Sequence, residues 1–235
     1  MTGTASFTII SIIAVLAAYL SGSVNYAVLV TRAVIGQDIR SIGNKNPGTS
    51  NVTRSVGKKW GFLVGFLDAF KILGLLILAR ILLFPDYSNL HFSILYLMGI
   101  AGVVGHCLPV FYGFKGGGGI GTMQGVSLFF IPVEYLLSML IGGSIVLLFF
   151  KKVKYKYGQW TPIMFVTLTP FVTLLFTLTI DIPLFAHISI GGHPWSIVAG
   201  AFVLSFTILG LNINFMRSRA DELKSFEDKN GDENG

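Results

Sequence analysis

Apolar residues fall into six long runs along this chain, near 7–31, 60–84, 92–112, 123–150, 160–180 and 196–215, with polar stretches between them. A helix crosses a bilayer in roughly 20 residues at 1.5 Å each, so five of the runs predict one membrane helix apiece. The sixth, 123–150, is 28 residues long and contains Pro132. Charge argues its path. If it crossed once, the lysine-rich "KKVKYKYGQW" at 151–160 would face away from "FKGGGGIGT" at 114–122. If it enters, breaks near Pro132 and returns, the polar stretches sort cleanly. One side then holds 32–59, 113–122, 151–159 and 216–235 with fifteen Lys and Arg, and the other holds 85–91 and 181–195 with none.

The positive-inside rule makes the basic side cytoplasmic. The expectation is an all-α integral membrane protein with seven membrane helices, two of them the short arms of a re-entrant pair around Pro132. The N-terminus lies outside and the C-terminus in the cytoplasm. Residues 1–217 form a single membrane domain, and 218–235 a solvated, partly disordered cytoplasmic tail. Trp60, Trp160 and Trp195 each begin a run, where aromatic belts sit. Arg80, near the outer end of its run, fits this frame poorly.

Composition agrees. Of 235 residues, 53% are hydrophobic and 12% charged, and the mean hydropathy is +0.73; a soluble domain carries roughly 25% charged residues. The 28 glycines suit closely packed membrane helices. The N-terminal run has no basic region before it and continues past the small residues at 21–23, so it reads as a retained span and not a cleaved signal. Cys107 is the single cysteine, so no intrachain disulfide forms and no cysteine-based metal site is suggested. The net charge of +6 reports orientation; no basic patch interleaves with aromatics as nucleic-acid binding would need.

Two polar stretches carry candidate chemistry. "GQDIRSIGNKNPGTSNVTRSVGKKWG", from Gly36, has too few aliphatics to be a domain of its own. It concentrates glycines with Asn44, Asn46, Thr49, Ser50 and Asn51 between Arg40 and Arg54. Glycine backbone amides can turn toward an anion, asparagine and hydroxyl side chains add neutral hydrogen bonds, and arginine adds a bidentate fork suited to phosphate. The bland alternative is a flexible basic linker. "FKGGGGIGT" lacks the spacing of a Walker loop, but it runs into an apolar segment at Thr122, where a helix N-terminus could join an anion site; a plain loop is its alternative.

His106, near the cytoplasmic end of the third run, is either a packed residue or a titratable group facing a site. Asp68 and Lys71, three apart on the second run, share a helix face and read as a structural pair. Glu134 follows Pro132 and takes no role from the sequence alone. His187 and His193 lack a carboxylate partner in sequence and make a poor metal site. No Ser-His-Asp order, C-x-x-C, H-E-x-x-H or paired-carboxylate pattern appears, so any chemistry here should need neither a covalent nucleophile nor a metal or other cofactor.

These stretches resemble the bacterial acyl-phosphate:glycerol-3-phosphate acyltransferases, the PlsY family, from about 21 to 125. "DIRSIGNKNPGTSNVTRSVG" is similar to that family's D-I-R-x-x-G-S-x-N-x-G-A-T-N-x-x-R-x-x-G, and "GHCLPVFYGFKGGGGIGT" to its G-H-x-x-P-V-F-x-x-F-x-G-G-K-G-V-A-T. The resemblance implies a seven-helix fold in the bacterial inner membrane with its motifs at the cytoplasmic surface. It implies acyl transfer from acyl-phosphate to glycerol-3-phosphate, giving lysophosphatidic acid, with membrane lipid as the surroundings. By position, Asn44, Asn46, Gly48, Asn51 and Arg54 belong to the first phosphate site. His106, Gly116, Gly117, Gly119 and Thr122 belong to the second motif. Arg54 and Lys115 would bear the phosphates, and His106 or a substrate phosphate oxygen would assist deprotonation of the hydroxyl.

The chain departs from the family at three points. Asn44 replaces the serine of the first motif and Gly118 the lysine of the second. The third motif, H-x-x-N-I-x-R, survives faintly in "LNINFMRSRADE", where Asn214 and Arg217 keep the N-x-x-R spacing and Leu211 stands at the histidine. A second function is therefore carried beside catalysis: a relative that binds phosphorylated lipid precursors as a regulator or carrier without transferring the acyl group.

Overall fold

The first apolar run is not one helix. In this computed structural model, which describes residues 2–149, 157–185, 188–214 and 216, α1 (Thr2–Ser23) stops two residues before α2 (Tyr26–Ile35) begins. Asn25 makes the restart: its side chain accepts from the Val28 amide, satisfying one of the donors a helix start leaves open. The carbonyls left at the break are met from a neighbouring helix, because Lys71 Nζ donates to Gly22 O (3.1 Å) and Val24 O (2.8 Å).

Lys71 belongs to α4 (Lys58–Leu82), which is joined to α2 by a 3₁₀ turn at Ile39–Ser41 and the short α3 (Thr49–Ser55). The 36–57 stretch, expected to be too poor in aliphatics to fold alone, borrows its core. Ile39 and Val52 are fully buried with Ala27 and Val28 of α2 and Val64 of α4. Complete burial of a valine or isoleucine is worth roughly 1.5–3 kcal/mol, enough to hold a short loop against its helices.

α5 (Asn89–Cys107) packs between α1, α4 and α9 (Trp195–Leu211), and about three-fifths of its apolar window is buried. Small residues allow this. A β-carbon at Gly22 of α1 would overlap the Gly102 backbone, and one at Gly105 the backbone of Tyr19 and Ser23, so α1 and α5 approach at backbone distance. Arg80, the misfit of the sequence, is 8% exposed: it donates to the Phe84 carbonyl (2.7 Å) just beyond α4 and lies over the Phe92 ring.

The long sixth run breaks at Ile131, between α6 (Ile120–Phe130) and α7 (Pro132–Phe149). Proline lacks the amide a continuing helix would use and disfavours helical backbone before it. α8 (Tyr157–Thr179) keeps Pro162 and Pro170 inside it and packs on α7. The 181–195 stretch, read from sequence only as a polar outer loop, holds a small antiparallel hairpin, β1 (Asp181–Phe185) with β2 (Ile188–Gly191). Glu134, fully buried at the start of α7, anchors it: one carboxylate oxygen accepts from the Gly191 amide (3.0 Å) and lies 2.9 Å from His193 Nε2.

By length and composition, five stretches among the described residues can cross a membrane: Thr4–Ile35, Lys58–Leu82, Asn89–Tyr112, Pro132–Phe149 and Trp160–Thr179. Ile120–Phe130 and Trp195–Leu211 are apolar but shorter. The tail expected over 218–235 lies outside the described residues.

Candidate active site

The first polar stretch is a folded loop, and Asn51 organises it. Its amide nitrogen donates to the carbonyls of Ile39 (3.2 Å) and Ile42 (3.0 Å), and its oxygen accepts from the Asn44 amide and the Ser55 hydroxyl, both at 3.2 Å. Gly43 sits against it at φ 58, where a β-carbon would meet the Asn51 oxygen. Asn44 accepts in turn from the Asn46 amide (3.2 Å), a local turn of the kind asparagine makes readily. Asp38 accepts from Arg40 (2.8 Å) and Arg32 (2.6 Å). The Arg40 hydrogen bond holds the Asp38 carboxyl well below the usual carboxylate range, and the pairing raises Arg40. These bonds consume Asp38 and Arg40, while Lys45 and Arg54 stay exposed. Arg54, in the last turn of α3, is exposed and faces no acidic side chain among the described residues.

The glycine run divides in two. Gly116 and Gly117 donate their amides to the carbonyls of Cys107 and His106, both at 3.1 Å. They close the end of α5 and leave those amides unavailable to a ligand. A β-carbon at Gly117 would lie 2.5 Å from His106 Nε2 and 2.8 Å from Pro47 O, so glycine lets the two polar loops touch here. Gly118 and Gly119 lead into α6, with Gly119 in the left-handed region at φ 79. Gly118, Gly119, Ile120 and Gly121 lie at that helix start, whose amides have no intrahelical acceptor.

Beneath both loops lies a buried polar cluster. Lys71 Nζ is 3.0 Å from Asp68 Oδ1 and 3.1 Å from His106 Nδ1, and His106 Nδ1 is 3.6 Å from the same Asp68 oxygen. Asp68 and His106 are 1% and 3% exposed. The pairing read from sequence is present, and His106 joins it.

The loops and the cluster border one cavity of about 310 Å³. Asn44, Asn46, Gly48, Thr49, Ser50, Asn51 and Arg54 line it from the first loop, Asp68 and His106 from below, and Gly118 to Gly121 with Gln124 from the start of α6. The remaining wall is mostly apolar: Pro162, Ile163 and Val166 of α8, Ile208 and Leu209 of α9, and Met216 beyond it. Such a space offers donors to an anion at one end and hydrocarbon contact at the other.

The residues expected at a site are thus distributed unevenly. Asn44, Asn46, Gly48, Asn51, Arg54, His106 and Gly119 border the cavity. Gly116 and Gly117 support it from behind. Thr122 is fully buried on α6 with its hydroxyl unpartnered among the described residues. Lys115 is exposed and does not border it, and Asn214 is exposed and outside it. Arg217 lies outside the described residues. Asn212 takes the place expected of Asn214: it lines the cavity and donates to the Gly118 carbonyl (2.9 Å). Its signal is in the sequence, because Asn212 and Ile213 reproduce the N-I pair of the third motif. In that register the histidine position is Leu209, on the apolar wall. Pro162, Ile163 and Val166 carry no such signal.

A helical membrane fold thus encloses a cavity with polar loops at one end and a larger apolar wall, a lining that suits a molecule with a charged head and an apolar tail. The chain belongs to the glycerol-3-phosphate acyltransferase family, whose model matches residues 12–216. It is 37% identical over 130 residues to the glycerol-3-phosphate acyltransferase of Mycoplasma capricolum, covering 55% of this chain and 50% of that one. The chain spans about half the length of the curated relative it matches there. Two crystal structures of PlsY, an integral membrane glycerol 3-phosphate acyltransferase, superpose on it over 92% of each chain. The glycerol 3-phosphate form does so with a TM-score of 0.70 at 28% identity, and the lysophosphatidic acid form with 0.66 at 26%.

Proposed function

We propose that this protein transfers an acyl group from acyl-phosphate to glycerol-3-phosphate, forming lysophosphatidic acid in phospholipid synthesis. The cavity carries this reading. One space joins the Asn44–Arg54 loop and the start of α6, which suit phosphate, to an apolar wall from α8 and α9 that suits an acyl chain. The superposable structures are of a glycerol 3-phosphate form and a lysophosphatidic acid form, an acceptor and a product of such a transfer. Acyl-phosphate is an activated mixed anhydride. The glycerol hydroxyl oxygen bonds to the acyl carbon, the bond from that carbon to the phosphate oxygen breaks, and the hydroxyl proton ends on the released phosphate. The protein's part is to hold two anions and a chain in line and to exclude water. Arg54 bears a phosphate, Asn44 and Asn46 orient it, and His106 and Asn212 border the reacting centre. The reading as a binder without transfer gains no support from relatives that carry enzyme names.

The same reading places the cavity at the cytoplasmic face of a bacterial inner membrane, with seven membrane helices, the N-terminus outside, and α6 and α7 as a re-entrant pair. Support comes from Glu134, at the bend, meeting through Gly191 and His193 the side that the charge sorting leaves without Lys or Arg. A cysteine placed at 153–157 should then react only from the cytoplasmic side. Purified protein given radiolabelled acyl-phosphate and glycerol-3-phosphate is expected to release labelled lysophosphatidic acid above the no-enzyme background. Binding of both substrates without product would overturn catalysis.

A further inference from the structure

The cluster under the cavity constrains what His106 can do. Lys71 Nζ is surrounded by three oxygens, Gly22 O at 3.1 Å, Val24 O at 2.8 Å and Asp68 Oδ1 at 3.0 Å. Three acceptors call for the three hydrogens of an ammonium, which has no lone pair to offer. The fourth neighbour of Nζ is His106 Nδ1 at 3.1 Å. A hydrogen on Nδ1 would point into that ammonium. The other possible acceptor for it, Asp68 Oδ1, is 3.6 Å away, beyond hydrogen-bond reach. Nδ1 therefore faces the cation with its lone pair, and in a neutral imidazole the proton then sits on Nε2. Nε2 lies beside Gly117, and His106 borders the cavity.

We propose that Lys71 is a positioning residue that holds His106 as the Nε2–H tautomer, so that His106 donates a hydrogen bond to a phosphoryl oxygen in the cavity and does not take the hydroxyl proton. Asp68 has a supporting part: it holds the ammonium beside the ring. The same lysine ties the break between α1 and α2 to α4 and α5, which couples the ring's orientation to the packing of three helices. The phosphoryl ligand rests on the acyl-transfer reading. The tautomer does not.

The test uses full-length protein labelled with ¹⁵N-histidine in detergent at neutral pH, with His106 assigned by comparison with His106→Gln. The expected spectrum has Nε2 protonated and Nδ1 bare in the wild type, and Nδ1 protonated, wholly or in part, in Lys71→Met. A protonated Nδ1 in the wild type overturns the proposal, as does a spectrum that Lys71→Met leaves unchanged. Activity gives the second readout. His106→Ala, which removes the donor, should lose roughly ten- to hundredfold in kcat/KM for glycerol-3-phosphate. His106→Gln places an amide donor near the site of Nε2 but cannot act as a base, and should recover most of that loss. A glutamine variant as inactive as the alanine one points to a base, whose removal costs on the order of 10²–10⁴-fold, and overturns the proposal. A wild type without transfer would sink the proposed function while the spectra still decide the tautomer.

Discussion

The asparagine-rich loop at 36–57 and the glycine run at 113–121 border the same cavity and are held in opposite ways. The first is braced by side chains: Asn51 alone makes four hydrogen bonds, and Asp38 gathers two arginines. The second has almost no side chains to use. It is braced by its own amides on the carbonyls of His106 and Cys107, and by the absence of β-carbons that would strike its neighbours. Polar residues in a loop next to a site are therefore not all ligands for it. In the first loop most of them are spent on the fold and Arg54 is left over; in the second, Gly116 and Gly117 are spent and the helix start that follows is left over.

The sharpest break in this contrast is Asn51→Leu. It removes the acceptor of the Asn44 amide and a donor to each of the Ile39 and Ile42 carbonyls, which keep only the Ile42 and Lys45 amides, and an unpaired buried group costs roughly 1–3 kcal/mol. A loss of about 2–4 kcal/mol in unfolding free energy is expected, with activity falling because the loop no longer holds Arg54. Full stability would show that the loop is braced by something else. Arg54→Ala should do the reverse. Folding is untouched, while kcat/KM for glycerol-3-phosphate drops about ten- to hundredfold, the worth of a charge-assisted bond of roughly 1.5–3 kcal/mol. Lys115→Ala, outside the cavity, should cost less, and an equal cost would place Lys115 on substrate.

Within the glycine run, Gly117→Ala and Gly118→Ala separate bracing from lining. At Gly117 the new carbon meets His106 Nε2 and Pro47 O at 2.5 and 2.8 Å, so overpacking of about 1–3 kcal/mol is expected. At Gly118 it meets only the Asn212 oxygen at 3.1 Å, and a thermal melt should barely move. Asp38→Asn should also cost less than the Gly117 clash, because the pair is partly solvated. Its folded-state pKa is depressed below the ordinary 3.8, so the stabilisation is present above about pH 4 and fades as acid protonates the carboxylate. A gap of about 0.5–1 kcal/mol between wild type and variant at neutral pH should close in acid. A gap that widened would contradict the pairing.

Much of this was legible along the chain. Apolar runs of bilayer length mark the helices because hydrocarbon demands them from every residue in the span, and Pro132 marks the break because a missing amide acts locally. Residues 38–57 and 105–122 mark the polar end of the candidate site through their resemblance to two family motifs, where pattern alone left a linker and a plain loop open. Tertiary structure decided the rest. Nothing local distinguishes Pro162, Ile163 or Leu209 on a cavity wall from the same residues against lipid. Nor does spacing show that Glu134 meets His193, 59 positions on, or that His106 shares a proton environment with Lys71, 35 positions back. Periodicity and motifs act over a few residues of chain. A cavity and a hydrogen-bonded cluster are properties of helices brought together, and which atoms meet depends on where small residues such as Gly22, Gly102 and Gly117 let backbones close.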